Sequence, residues 1–275
     1  MELLTLMENT ALSPAFVCHH GLSFYLEWKN RKILFDMGPD GDFIKNAKAL
    51  GVDLKAVDLA VLSHGHYDHG GGLKAFLEEN EKASVHIQKK PEENYYAHDP
   101  DGKIRYIGLP DGIKGCARFV SHKGDYTLEE GLSVFSGVTG RACYSPSNDR
   151  LYTEIHGRQI PDLFMHEQNL LLEEDGYFSL IAGCAHNGIV NILKRGQELT
   201  KGGIRYVIGG FHLKNAFDDV DKQREFCRKL AETLKEWNCQ YYTCHCTGEE
   251  SYEYLKEFMG EQIQYLAAGS RLVTR

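Results

Sequence analysis

Residues 63–72 read Ser-His-Gly-His-Tyr-Asp-His-Gly-Gly-Gly. His64, His66, Asp68 and His69 fall within six positions, a donor run of the form H-x-H-x-D-H. Imidazoles and a carboxylate converging on one loop suit zinc or a similar transition metal. Such a metal lowers the pKa of bound water to roughly 7 and so supplies hydroxide at neutral pH. Hydrolysis is the chemistry this segment points to. The bland alternative is a solvated, histidine-rich surface loop. Against it stand the apolar run Leu59-Ala60-Val61-Leu62 before the cluster and Gly70-Gly71-Gly72 after it. Together they describe a buried strand that ends in a tight turn.

The spacing has a geometric meaning. His64 and His66 are two apart, so extended backbone turns both to one side, where they can grip a single ion. Asp68 and His69 follow after the chain turns and can reach a second ion. Two-metal hydrolytic sites keep their ions roughly 3.5–4 Å apart, a reach that a short loop allows.

On this loop the chain resembles the metallo-β-lactamase superfamily, whose members share the H-x-H-x-D-H motif. His20-Gly21-Leu22-Ser23-Phe24-Tyr25-Leu26, followed by Ile33-Leu34-Phe35-Asp36-Met37-Gly38, resembles that superfamily's opening hairpin. Three later segments are narrower: Gly183-Cys184-Ala185-His186-Asn187-Gly188-Ile189-Val190-Asn191, Gly209-Gly210-Phe211-His212-Leu213 and His245-Cys246-Thr247-Gly248. They resemble the dihydropterin–ribofuranosylaminobenzene-phosphate synthase-like subgroup. The resemblance covers nearly the whole chain. It implies an α/β (α+β) fold, a four-layer αβ/βα sandwich forming one domain over 1–275, with the site between the sheets.

His186 follows an expected strand and precedes an expected helix, the position where α/β active sites collect. His245 has the same setting. The expected ligand sets are His64, His66 and His186 for one metal, and Asp68, His69 and His245 for the other. Many superfamily members carry a bridging Asp where this chain reads Ala182-Gly183-Cys184. Either Cys184 ligates, as a thiolate can, or His186 bridges and His166 supplies the missing histidine. His212 follows Gly209-Gly210, which lets the backbone turn sharply or approach a ligand. It is expected to contact substrate or support the ligands, with simple packing as the alternative. Strand alternation would place Cys244 and Cys246 together, opposite His245, as structural thiols. Arg141 could clamp a phosphate with its fork of donors or be an ordinary surface arginine. His19, His86, His98, His122 and His156 have no supporting context.

The elements that must position these residues are legible in outline. Strands are expected over 1–7, 21–28 and 32–35, with the turn at Asn30-Arg31, and over 59–62. Helices are expected over 41–50 and 72–79. Residues 86–165 hold five of the seven prolines and read as irregular, either a functional lid or strands too short to recognise. Beyond them, strands are expected over 169–173, 177–182, 206–208, 241–243 and 263–266. Helices are expected over 188–199, 222–237 and 251–259. Strands first and strand–helix alternation later fit two packed sheets flanked by helices.

Composition narrows the function classes. The 275 residues are 42% hydrophobic and 25% charged, ordinary for a globular chain. A net charge of −8, without a Lys/Arg run, argues against broad nucleic-acid binding. No basic-then-apolar leader and no long apolar stretch are apparent, so a membrane association is not expected. Eight irregularly spaced cysteines read as reduced thiols, and the cytoplasm is the expected compartment.

The expected activity is that of a metal-dependent hydrolase of a small anionic, phosphorylated substrate. Two divalent ions are the expected cofactors, zinc first, because manganese and iron accept the same donors. Asp68 binds metal and orients or deprotonates water, and His212 polarises the substrate or protonates the leaving group. The rivals are a pterin-type transferase, an iron redox enzyme and a metal-free binding protein. Flavin-linked di-iron relatives usually carry Glu where His66 stands, which weakens the second. A full ligand loop weakens the third.

Overall fold

Leucine-, isoleucine- and valine-rich runs separated by turn residues become the strands that carry the donors. The computed structural model of the chain describes residues 1–89 and 93–274. It groups them into two units. The first comprises Met1–Gly124, Arg150–Gln168 and the C-terminal segment from Ala267; the second comprises Asp125–Asp149 and Asn169–Leu266.

The first unit contains a seven-stranded sheet. Its order is Arg271–Val273, Glu2–Met7, Ser23–Trp28, Arg31–Phe35, Leu59–Val61, Ser84–Gln88, Phe119–His122. Pairing is antiparallel up to Arg31–Phe35 and parallel beyond it. Parallel neighbours need crossovers, and the helices Phe43–Ala49 and Leu73–Glu79 lie on two of them. Phe43, Ala47, Leu73 and Phe76 pack with Leu34, Ala60, Leu62 and Val85 in one cluster. The Leu59–Val61 strand is buried along its length, as its unbroken apolar run requires. It delivers the chain to Ser63 and the metal loop.

Residues 86–165 are more regular than expected. Among the described residues seven short strands lie wholly within that span, and 90–92 lie outside the described residues. Four strands of the first unit, Arg158–Pro161, Leu151–Ile155, Tyr95–His98 and Ile104–Tyr106, form an antiparallel sheet. Two of these strands face water almost throughout: Ile104–Tyr106 is exposed at all three positions and Arg158–Pro161 at three of four. A strand exposed on both faces has no apolar alternation to read. Two smaller differences have local causes. The hairpin turn is Lys29-Asn30 rather than Asn30-Arg31, with Lys29 in the left-handed region at φ 49°. Tyr67–Gly70 forms one helical turn inside the donor run, too short for periodicity to show.

The second unit holds another seven-stranded sheet. Its order is Ile263–Tyr265, Gln240–Thr243, Ile204–Gly209, Tyr177–Ile181, Asn169–Glu174, Leu132–Phe135, Tyr126–Glu129. The first four strands run parallel. Helices Ile189–Thr200, Val220–Leu234 and Glu249–Met259 connect them in turn. Ile189, Ile192 and Leu193, then Cys227, Leu230 and Leu234, bury one face of each of two helices against Leu180, Val207 and Tyr241. Asp219 caps the second helix by accepting the Lys222 N–H at 3.0 Å. This strand–helix repetition brings the loops after three parallel strands to one sheet edge. Among the described residues no helix is long and apolar enough to cross a membrane.

Candidate metal centre

In the first unit the donors are aimed by hydrogen bonds. Asp36, at the end of Arg31–Phe35, accepts the Ser63 N–H at 2.7 Å and the Ser63 hydroxyl at 2.7 Å. It also accepts His69 Nδ1–H at 2.6 Å. The Ser63 oxygen in turn takes His64 Nδ1–H at 2.8 Å. With both Nδ1 atoms protonated and held, Nε2 carries the lone pair on His64 and on His69. Metal-ligating histidines are fixed in this way. His64, Asp36 and His69 are fully buried. The His64 ring lies 4.6 Å from that of His66 and 4.1 Å from that of His69, centre to centre.

His66 is buried, and that burial pushes its imidazole down to about 3. The ring is therefore neutral at physiological pH, the state in which it can ligate. The same shift makes the metal-free fold acid-sensitive. The unfolded chain takes up this proton near 6.5, the folded chain only near 3, so the unfolded state binds more protons in between. Stability contributed by neutral His66 is present above about 6.5 and is lost as pH falls toward 3. We expect His66→Gln to shrink the stability difference between pH 7.5 and pH 4.5 by about 2–3 kcal/mol, read by urea unfolding of metal-free protein.

His166 belongs to this unit, with its ring 5.5 Å from that of His66. Its Nδ1 accepts the Gly65 N–H at 2.9 Å and its Nε2 donates to Asp162 Oδ2 at 3.0 Å. Both nitrogens are engaged, so in this arrangement His166 braces the loop. Burial alone would raise the Asp162 carboxyl, but His166 and His66 beside it hold it below the usual range. Gln168 completes the brace: its N–H reaches Ser63 O at 2.8 Å and its amide donates to Leu62 O at 2.8 Å.

The glycines after the donors are required by close approach. A Cβ on Gly71 would strike the Pro39 carbonyl, and one on Gly72 would strike those of Met37 and Asp40. The loop is also tied from behind. Leu22 N–H reaches Asp68 O at 3.1 Å, and Met37 N–H reaches His69 O at 2.7 Å. His20, half-exposed, approaches Asp68 Oδ2 at 3.4 Å.

The second unit carries its own donors at strand ends. His186 is buried; its Nδ1 donates to Asn148 Oδ1 at 3.0 Å, and Asn148 Nδ2 returns to His186 O at 2.8 Å. That pair fixes the ring and leaves Nε2 as the nitrogen with the lone pair. We expect Asn148→Ala to weaken metal affinity about 10–100-fold with little change in fold, measured by competition with a chelator. His212 packs against His186 with ring centres 4.2 Å apart and planes tilted by 57°. Both of its ring nitrogens are buried and have no hydrogen-bond partner among the described residues.

His245 is fully buried in the turn His245–Thr247. The alternation that would put Cys244 and Cys246 on one side stops at Thr243, because His245 turns into the left-handed region at φ 51°. Cys246 therefore faces Cys184 and the His212 backbone, donating to Cys184 O at 3.5 Å and accepting His212 N–H at 3.3 Å. Burial raises the Cys246 thiol, yet its contacts with Cys184 and His212 outweigh that and hold it well below the ordinary range. Asp36, Ala185, His212 and His245 all take positive φ, at 58°, 52°, 54° and 51°. Such strain in non-glycine residues gathers at functional sites.

Arg141 is exposed, its guanidinium 4.2 Å from the Tyr144 ring centre. Its segment is nonetheless anchored. Asn191 Oδ1 accepts the Ala142 N–H at 3.2 Å, and Asn191 Nδ2 donates to Asn187 O at 2.8 Å, beside His186. The positioning residues Asp36, Ser63, Asn148 and Asp162 were not singled out from sequence. Asp36 had one usable signal, a carboxylate directly after an apolar strand.

Residues 17–190 match the family model of the Metallo-beta-lactamase superfamily. The chain belongs to that superfamily. A Methanocaldococcus jannaschii protein described as uncharacterized is 30% identical to it, over 88% of this chain and 89% of its own. Another protein of that organism is named 7,8-dihydropterin-6-methyl-4-(beta-D-ribofuranosyl)-aminobenzene-5'-phosphate synthase. It is 27% identical over 98% of this chain and 95% of its own. A solved structure of a metal-dependent hydrolase of the beta-lactamase superfamily superposes with a TM-score of 0.83 at 27% identity, covering 100% of this chain and 99% of that one. The mixed α/β fold expected from the sequence is the fold of that solved structure.

Proposed function

We propose that this chain is a metal-dependent hydrolase of a small, anionic, phosphorylated substrate. The observation that carries the reading is the first unit's buried loop, where Asp36 and Ser63 hold Nδ1 of His69 and His64 and leave Nε2 of each as the ligating nitrogen. The proposed ligands of divalent metal are His64, His66, Asp68, His69, His186 and His245, with two ions and zinc as the expected metal. The donor set fits, being imidazoles and a carboxylate with hydrogen-bonded Nδ1 atoms behind three of the rings. When bound, the metal supplies Lewis acidity and hydroxide at neutral pH. The chain's own contributions are these. Asp68 orients or deprotonates the attacking water. His212 directs a ring nitrogen at a substrate oxygen or the leaving group. Arg141 binds the phosphate. Asp36, Ser63 and Asn148 hold the ligands.

The test is turnover of a panel of phosphate mono- and diesters by metal-loaded protein, abolished by chelation and restored by added zinc or manganese. No turnover of any ester in fully loaded protein overturns the reading. The relative named as a pterin-type synthase supports a second one, a transferase that joins two substrates with loss of diphosphate. A product containing both halves, with no requirement for water, decides for it.

A further inference from the structure

Two buried thiols are given no role in that reading, although Cys184 also lies within 4.8 Å of a ring nitrogen of His186 and of His245. Cys184, His212 and Cys246 each follow one of three neighbouring parallel strands, Tyr177–Ile181, Ile204–Gly209 and Gln240–Thr243. One ligand atom from each lies within 4.8 Å of the other two. We propose that Cys184, Cys246 and His212 hold one thiophilic divalent ion, with zinc as the expected occupant. The site belongs to the second unit alone and does not rest on the hydrolase reading.

The geometry is close to what such an ion needs. Bonds of about 2.0–2.3 Å in a tetrahedral zinc site place its donors roughly 3.3–3.8 Å apart. Side-chain adjustments of about 1 Å reach that spacing, and three protein donors leave a fourth position for water or another ligand. The bland alternative is three packed side chains, and two features oppose it. First, both ring nitrogens of His212 are buried without a hydrogen-bond partner among the described residues, a desolvation cost that ligation of one of them relieves. The other nitrogen keeps its proton for a substrate oxygen, consistent with the role given to His212 above. Second, the backbone is shaped around sulfur. A Cβ on Gly210 would strike Cys246 Sγ, and the His212 N–H points at that sulfur from 3.3 Å. An N–H donated to a ligating sulfur is the support that thiolate sites use.

The test is titration of reduced, metal-free, full-length protein with cobalt(II) alone. Sulfur ligation gives cobalt a near-ultraviolet charge-transfer band. We expect that band in the parent protein and its loss in both Cys184→Ser and Cys246→Ser. In His212→Ala we expect the visible cobalt bands to shift. Cys227→Ser, a buried thiol elsewhere, and His66→Ala are expected to keep the band; its loss in Cys246→Ser is what separates this site from the hydrolytic ligands, because Cys246 clusters only with Cys184 and His212 among the described residues. No band in the parent, or a band that survives Cys246→Ser, overturns the proposal. Zinc-edge X-ray absorption of the parent protein loaded to saturation needs no variant. Sulfur at about 2.3 Å is expected, and a shell of nitrogen and oxygen alone refutes the site.

Discussion

His66→Ala is expected to abolish turnover, by at least about 10³-fold, and to lower the metal content per chain. The reasoning runs through water. A bound metal brings the pKa of water from about 15.7 to about 7, so losing it removes nearly all hydroxide at neutral pH. His66 is buried beside His64 and His166, two positions after His64 in the loop that follows Leu59–Val61. No other side chain of the loop can replace it from that position. Metal analysis and steady-state turnover of the same preparation make the check. Unchanged turnover in His66→Ala would sink the ligand assignment.

The second large effect is expected at Asp36, which contacts no substrate in this reading. Its carboxylate accepts three hydrogen bonds, from Ser63 N–H, Ser63 Oγ–H and His69 Nδ1–H. Asp36→Ala leaves all three donors buried without an acceptor and is expected to cost about 3–5 kcal/mol of stability. Metal affinity is expected to fall about 10–100-fold, because His64 and His69 lose the anchor of their Nδ1 atoms. Asp36→Asn separates the two effects. It keeps the shape and tolerates the left-handed backbone at φ 58°. It should therefore recover most of the stability and little of the metal affinity. Urea unfolding with metal titration reads both quantities. Equal affinity in all three proteins would show that the carboxylate does not orient the ligands.

Much of this architecture was legible because strong periodicities survive in sequence. The helix Val220–Leu234 announces itself through Phe226, Leu230 and Leu234, and Leu59–Val61 through unbroken burial. The loop from His64 to His69 was legible because ligand chemistry restricts residue types at fixed spacing. What escaped was held by contacts distant in sequence. Asn148 meets His186 across 38 positions, and His166 meets Gly65 across 101. No local pattern encodes such a meeting. The strands Ile104–Tyr106 and Arg158–Pro161 escaped for another reason, since faces open to water carry no apolar alternation. The turn at His245 also broke a local rule, because a histidine in the left-handed region ends the alternation that placed its flanking cysteines.

Four of the non-glycine residues with positive φ, Asp36, Ala185, His212 and His245, lie at or beside the candidate site and have a consequence for how this protein evolves. Each holds a conformation costing of order 1–3 kcal/mol, against a net folding stability of only about 5–15 kcal/mol for a typical domain. A selection for heat resistance would find easy gains there. Ala185→Gly, for instance, relieves the left-handed backbone at φ 52° without losing a side-chain hydrogen bond. Such gains would loosen the turn that carries His186. Lineages under pressure for activity should therefore keep the strain and acquire their stability elsewhere, in the helices and outer turns.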